Sequence, residues 1–272
     1  MSNKINPRYS IILLMMIPVL IMSLLFGCLP ADKRSKLSIF AAAGSKLAID
    51  EISEQFIEKY GTEIEINYGG GGEVLSRMTI SQTGDIYIAP EQRFMESATE
   101  KEAIDTSTIK NLAYMVPVIA VSEGNPKQIT CLSDLAKPDV RVAITRSETT
   151  LLGKFAPEIF EKAGLAEAIG ENILTTAPDP NNLLTMLTTD AIDAGITWHF
   201  FGTSASDKID IVWLLPEQLT GIGQMEAAVS AYSENTETAL RFIDFMRSEQ
   251  GKEIFKKNGY ITDTEEVQKY WK

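Results

Sequence analysis

The chain has 272 residues but only two cysteines and one histidine, and it carries 25 basic against 37 acidic residues. Each shortage excludes something. Cys28 closes an apolar leader, which leaves Cys131 without a partner, so no internal disulfide is expected and stability must come from core burial. A lone His199 cannot supply the His and Cys spacing of a zinc site, and no metal or cofactor is expected. Cys131 and His199 lack any flanking motif for a nucleophile and base, so the chain is not read as an enzyme. The formal charge of -12 argues against nucleic acid, whose recognition needs a basic face.

What is present begins with an address. Lys4 and Arg8 precede an apolar run from Ile11 to Phe26, closed by Gly27 and Cys28. This reads as an export signal, because a run of about 16 residues is short for a spanning helix, which needs roughly 20. Residues 1–28 are taken as a lipoprotein signal with Cys28 as the lipidated residue, an uncleaved N-terminal anchor being the alternative. Residues 29–36, LPADKRSK, read as a polar tether. Either way the chain is expected to work outside the cytoplasm, held at the membrane. Losing Lys4 and Arg8 takes the charge from -12 to -14.

The mature part alternates strand-like and helix-like segments. LSIFAAA (37–43) is a short apolar run, and Ala48, Ile49, Ile52, Phe56 and Tyr60 then fall at helical spacing until Gly61. EIEINY, a glycine loop, a helix near 73–81, the strand DIYIA (85–89) and a helix from Glu91 follow. YMVPVIAVS (114–122) is long for one strand and carries Pro117, which a central strand tolerates poorly. The pattern restarts at VRVAI (140–144), with helices near 153–163 and 181–189 and strands ILTTA and DAGITW. The tail at 236–260 reads as helix, with Leu240, Ile243, Phe245 and Met246 as core. Strands separated by helices predict α/β units with mainly parallel sheets.

Ligands of open α/β sheets sit at the carboxyl ends of strands. Three such ends in the first unit are AAAGS (41–45), YGGGG (68–72) and IAPEQ (88–92). The first two are almost bare of bulky side chains. A P-loop is excluded, since Glu73 and Val74 stand where Lys and Ser or Thr are needed. Two readings of the glycines remain: a permissive turn with positive φ, or free N–H groups at a helix start that hold an anion without Lys or Arg. Ser45 is a candidate donor or N-cap. Arg77 and Arg146 are candidate charged donors.

The segments FAAAGSKLAIDEISEQFIEKYG, YGGGGEVLSR, GDIYIAPEQRFMESATEKEAID, CLSDLAKPDVRVAI, DAGITW and ALRFIDFMRSEQGKEIFKKNGY occur in an order that resembles the exported solute-binding proteins of ABC transporters, most closely the molybdate-binding family. The resemblance implies a two-lobed periplasmic-binding-protein clamshell of type II, each lobe a mixed, mainly parallel sheet flanked by helices. It implies residues 37–115 and 228–272 in one lobe and 116–227 in the other, with YMVPVIAVS and MEAAVSAYS (225–233) as crossovers. Carried over position by position, the ligand set falls on Gly44 and Ser45, on Gly70, Gly71 and Gly72, near Thr150, Leu151 and Leu152, on Asn181 and Asn182, and on Trp198. Every hydroxyl of the family pattern is thereby shifted or missing. Arg146 and His199 are secondary candidates beside the cleft.

The function this implies is a lipid-anchored, monomeric receptor that binds molybdate or tungstate and delivers it to an ABC permease and its ATPase. Such dianions carry four acceptors and no proton, so a cavity lined by donors alone suits them, whereas phosphate brings a proton and wants an acceptor too. The alternatives are another solute (an organic anion, sulfate, phosphate or ferric ion), or a surface lipoprotein outside transport.

Overall fold

The computed structural model describes residues 36–271; the export segment, Cys28 and the tether up to Ser35 lie outside the described residues. In chain order the elements are β1 (Lys36–Ala42), α1 (Lys46–Tyr60), β2 (Glu63–Gly69), α2 (Gly71–Ser81), β3 (Ile86–Ala89), α3 (Gln92–Glu100), β4 (Lys110–Met115) and β5 (Pro117–Ser122). Then come β6 (Val142–Thr145), α4 (Leu151–Lys162), α5 (Ala166–Gly170), β7 (Ile173–Ala177), α6 (Pro180–Thr188), β8 (Ala194–Trp198), α7 (Phe201–Ser204) and β9 (Ile209–Trp213). The chain closes with β10 (Gly223–Val229), α8 (Thr236–Arg247), α9 (Glu249–Lys257) and α10 (Thr264–Val267).

The strands form two five-stranded sheets, ordered β2-β1-β3-β10-β4 and β7-β6-β8-β5-β9. In the first, β1 pairs parallel with β2 and β3, while β10 runs antiparallel between β3 and β4. The second repeats the scheme, with β6 parallel to β7 and β8, and β5 antiparallel to β8 and β9. Sequence pattern and position agree. β1 and β8 are interior strands with almost no exposed residue, and they read as continuous apolar runs. β2 is an edge strand whose alternation leaves its glutamates in water. This is the type II clamshell architecture, one sheet per lobe.

The chain crosses between sheets twice. The first crossing splits YMVPVIAVS at Val116, so that Pro117 becomes the first residue of β5, the one strand position where its missing N–H is harmless. The return crossing is Leu214 to Ile222. It ends at Gly223 and not at 228, because β10 pairs along its whole length with β4 and β3. Residues 225–229 of this segment are therefore strand β10 of the first sheet, and the segment is not a crossover.

The C-terminal helices pack on the first half through Phe56, whose ring meets Phe242 edge-on at 5.0 Å and Phe245 at 5.5 Å. The tail is two helices, not one, broken at Ser248, whose hydroxyl accepts from the Gly251 amide to start α9. Gly251 lies against the backbone that it leaves: a Cβ there would sit 2.2 Å from the Met246 carbonyl oxygen. Leu240 is on the solvent side of α8, whereas Ile243, Phe245 and Met246 are buried as expected. The tail also bridges both halves, with Tyr260 stacked on Phe200 at 4.4 Å and Tyr270 on Trp213 at 4.5 Å.

One buried carboxylate ties the first sheet to its returning strand. Asp85 accepts from the Ser38 amide (2.9 Å), the Ser233 hydroxyl (2.8 Å) and the Asn235 side-chain amide (3.3 Å). Removing it would orphan buried donors, which costs about 1–3 kcal/mol or more for a charged partner. Urea denaturation should show Asp85→Ala destabilised by about 3 kcal/mol and Asp85→Asn by less.

Candidate functional site

The carboxyl ends of strands from both sheets face a cavity of about 640 Å3. β1 leads into Ala43–Ser45, β2 into the glycines, β3 into Pro90 and Glu91, β6 into Glu148–Thr150, β7 into Pro178–Asn182, and β8 ends at Trp198. Helices α1, α2, α4 and α6 all start at its wall. A helix's first N–H groups have no intrahelical acceptor, and they carry the positive end of its dipole. The cavity is thus positive in its backbone although the chain is acidic. Apolar side chains share the rest of its wall with a few charged ones: Phe94, Met115, Phe200, Phe201 and Met225 line it beside Trp198.

Of the residues expected at the site, Gly44, Ser45, Gly70, Gly71, Gly72, Thr150, Asn181, Asn182 and Trp198 line this one cavity. Leu151 and Leu152, expected as backbone donors, are outside the lining: the Leu151 amide is taken by Glu91 at 2.8 Å, and Leu152 is buried in the core. Arg146 is outside the lining, and Arg77 spends its guanidinium on the Tyr68 carbonyl at 2.6 Å. His199 is buried behind the wall, where Nδ1 accepts from the Val116 amide at 3.0 Å. Nε2 has no hydrogen-bond partner among the described residues. Burial lowers the His199 pKa to about 4, so it is a neutral fixture of the first crossing.

The glycine loop answers to close packing, not to positive φ. Gly70 has φ -63, and none of the four glycines at 69–72 is left-handed. A Cβ on Gly71 would approach Pro90 Cγ to 2.6 Å and the Phe94 ring to 2.9 Å, and one on Gly69 would meet the Arg77 guanidinium at 2.5 Å. Bare glycines let α2 begin directly against β3's exit. Gly153 does the same for α4, since a Cβ would sit 2.3 Å from the Arg146 backbone carbon.

Several of the donors assigned from the sequence are already engaged. The Ser45 hydroxyl donates to the Ala42 carbonyl at 2.8 Å. The Thr150 hydroxyl caps α4, accepting from the Gly153 amide at 2.9 Å. Asp179 caps α6, holding the Asn182 amide at 3.0 Å and its side chain at 2.7 Å. Glu73 reaches back to the Gly70 amide at 3.2 Å. The first-turn amides of Gly71, Gly72 and Asn181, and that of Gly44, have no acceptor among the described residues.

The residue that sequence reasoning missed is Glu91. Its carboxylate, 4% exposed, accepts from the Leu151 amide at 2.8 Å across the cleft and lies beside the Trp198 indole. The lining is therefore not one of donors alone, as the bare-dianion reading expects. Burial pushes the Glu91 pKa up to about 7 against the opposing pull of the Leu151 amide, Arg93 and Trp198. The signal was there in IAPEQ, the third strand end, but a glutamate reads by default as solvated. Its neighbours complete a latch. Arg93 donates to the Ser147 and Glu148 carbonyls at 3.3 and 2.7 Å, and Gln92 donates to Ile222 while accepting from Gln224 at the return crossing.

A family model for bacterial extracellular solute-binding proteins matches residues 37–261. The chain belongs to this family. A Haemophilus influenzae protein described as a binding protein is 25% identical over 228 residues, 83% of this chain and 90% of that one. The molybdate-binding protein ModA of Escherichia coli is 25% identical over 230 residues, 83% and 88% of the two chains. PEB3 of Campylobacter jejuni, solved with L-phospholactate bound, superposes with a TM-score of 0.73 at 22% identity, over 84% of this chain and 100% of that one. The first two relatives are binding proteins, and the family is one of extracellular solute-binding proteins.

Glu91 also sets a pH dependence. A carboxyl whose folded pKa is raised contributes stability in full below its unfolded value near 4.5, and that contribution is lost as pH rises through about 7. A shift of this size corresponds to roughly 3 kcal/mol. Denaturation curves at pH 5 and pH 8 should show Glu91→Gln gaining on the wild type at the higher pH.

Proposed function

We propose that the protein is the receptor of an ABC importer, tethered through Cys28, that closes on a small anion with an oxyanion head and delivers it to a permease. The observation that carries this is the convergence of four helix starts on one cavity, with the Gly44, Gly71, Gly72 and Asn181 amides unpaired. Backbone donors of this kind hold oxyanions without a basic side chain. An exterior negative field is no obstacle, because it is screened over about 8 Å at physiological ionic strength.

The space favours an anion with a body. A cavity of about 640 Å3 lies in the usual range for organic ligands, roughly 300–1,000 Å3, and its Phe94, Trp198, Phe200 and Phe201 wall suits an apolar or ring-bearing portion. A phosphorylated or carboxylated organic acid would place its head on the amides and its body on the aromatics. Molybdate or tungstate is the second reading, supported by the likeness to ModA and weakened by the acceptor that Glu91 brings into the site. Closure is hinge bending at Val116–Pro117 and Leu214–Ile222, driven by ligand contacts made to both lobes at once.

Ligand that binds only the folded state raises its melting temperature in proportion to RT ln(1 + [L]/Kd). A thermal-shift series of molybdate, tungstate, sulfate, phosphate, phospholactate, short carboxylates, ferric ion and neutral amino acids should give its largest shift with an organic oxyanion. A response to molybdate and tungstate alone would favour the second reading. A response only to cationic or neutral solutes would overturn both.

A further inference from the structure

We infer that Glu91 selects the ligand, favouring oxyanions that carry a hydrogen-bond donor over bare ones of the same shape and charge. This rests on the anion-receptor reading above and deepens it. Glu91 lines the cavity and is nine-tenths buried, held in place by the Leu151 amide at 2.8 Å. Its position on that amide, at the start of α4, puts a protein carboxylate among the donors that would otherwise serve an anion.

The chemistry follows from counting lone pairs. An ionised carboxylate offers about four acceptor sites. The Leu151 amide and the neighbouring Trp198 indole use two at most. What remains faces the ligand space as an acceptor that only a donor can satisfy. A hydroxyl on a phosphoryl group, or a hydroxyl or ammonium on an organic acid, meets it. A fully deprotonated oxyanion such as sulfate or molybdate brings oxygen against oxygen, leaving a buried acceptor unpaired and two negative charges together.

The other charged groups around the site do not remove this bias. Arg93 is turned to the Ser147 and Glu148 carbonyls, Glu73 to the Gly70 amide, and Asp179 to Asn182; Glu148 adds a further negative charge at the rim. The raised pKa of Glu91 adds a consequence. Below about pH 7 the group takes a proton and becomes a donor, so discrimination against bare anions should fade on acidification.

Sulfate and monohydrogen phosphate separate these possibilities, since at pH 8 both are tetrahedral dianions and they differ by one proton. Titration calorimetry of the wild-type protein at pH 8 should give phosphate at least about tenfold tighter than sulfate. Glu91→Gln, which can present either an acceptor or a donor, should bring the two within about threefold, chiefly by improving sulfate, and Glu91→Ala provides a second variant. Wild-type affinity for sulfate should rise between pH 8 and pH 6, and that of Glu91→Gln should not. Equal affinities unchanged by either variant would overturn the role of Glu91 while leaving the anion receptor standing. No binding of either anion by any of the three proteins, together with no thermal shift from phospholactate or molybdate, would overturn the anion reading itself, and the role of Glu91 with it.

Discussion

Backbone N–H groups at helix starts need acceptors, and this fold directs four sets of them into one space. Where the protein supplies the acceptor, it does so with a side-chain oxygen: Thr150 and Glu91 for α4, Asp179 for α6, and Glu73 for the glycine loop. Where it does not, at Gly44, Gly71, Gly72 and Asn181, the demand is left for something that enters from outside. The two five-stranded sheets exist, functionally, to bring those starts together from opposite sides. Their topology ensures it, because every parallel strand releases its helix at the same end.

Placing a carboxylate in such a space is costly unless it is held. Glu91 is held, by an amide of the opposite lobe, and with Gln92 and Arg93 it joins the two halves at the mouth of α3. The same three residues therefore touch the return crossing, the start of α4 and the ligand space. Ligand chemistry and lobe closure thus meet at the start of α3. An anion that competes for the α4 amide, or a donor that satisfies the Glu91 carboxylate, acts directly on the contact that holds the lobes together.

Much of the fold is legible in the residues. LSIFAAA and EIEINY are legible as strands, and Pro117 marks the break in a run that is long for one strand. The helix ending at Gly61 stops there because Gly61 adopts the left-handed conformation that the end of α1 requires, with φ 68. The lining glycines are also readable as strand ends, yet their reason is not: close approach to Pro90 and Phe94 depends on neighbours that come from elsewhere in the chain. The return crossing was misplaced since β10 is apolar in a way that either sheet could bury. Glu91 escaped for a related reason, that burial of a charge is a property of the assembled fold and leaves no local trace. Phe200, Phe201 and Tyr260 also line the cavity, and they come together only because the end of β8 and the tail meet in the fold.

The central claim is that unpaired main-chain amides grip the anion. Proton–nitrogen correlation spectra of the protein, recorded with and without saturating inorganic phosphate, address those atoms one by one. The account predicts that the amide protons of Gly44, Gly71, Gly72 and Asn181 move downfield together on binding. Binding that leaves all four in place, while the spectrum changes around arginine or lysine side chains, would contradict it.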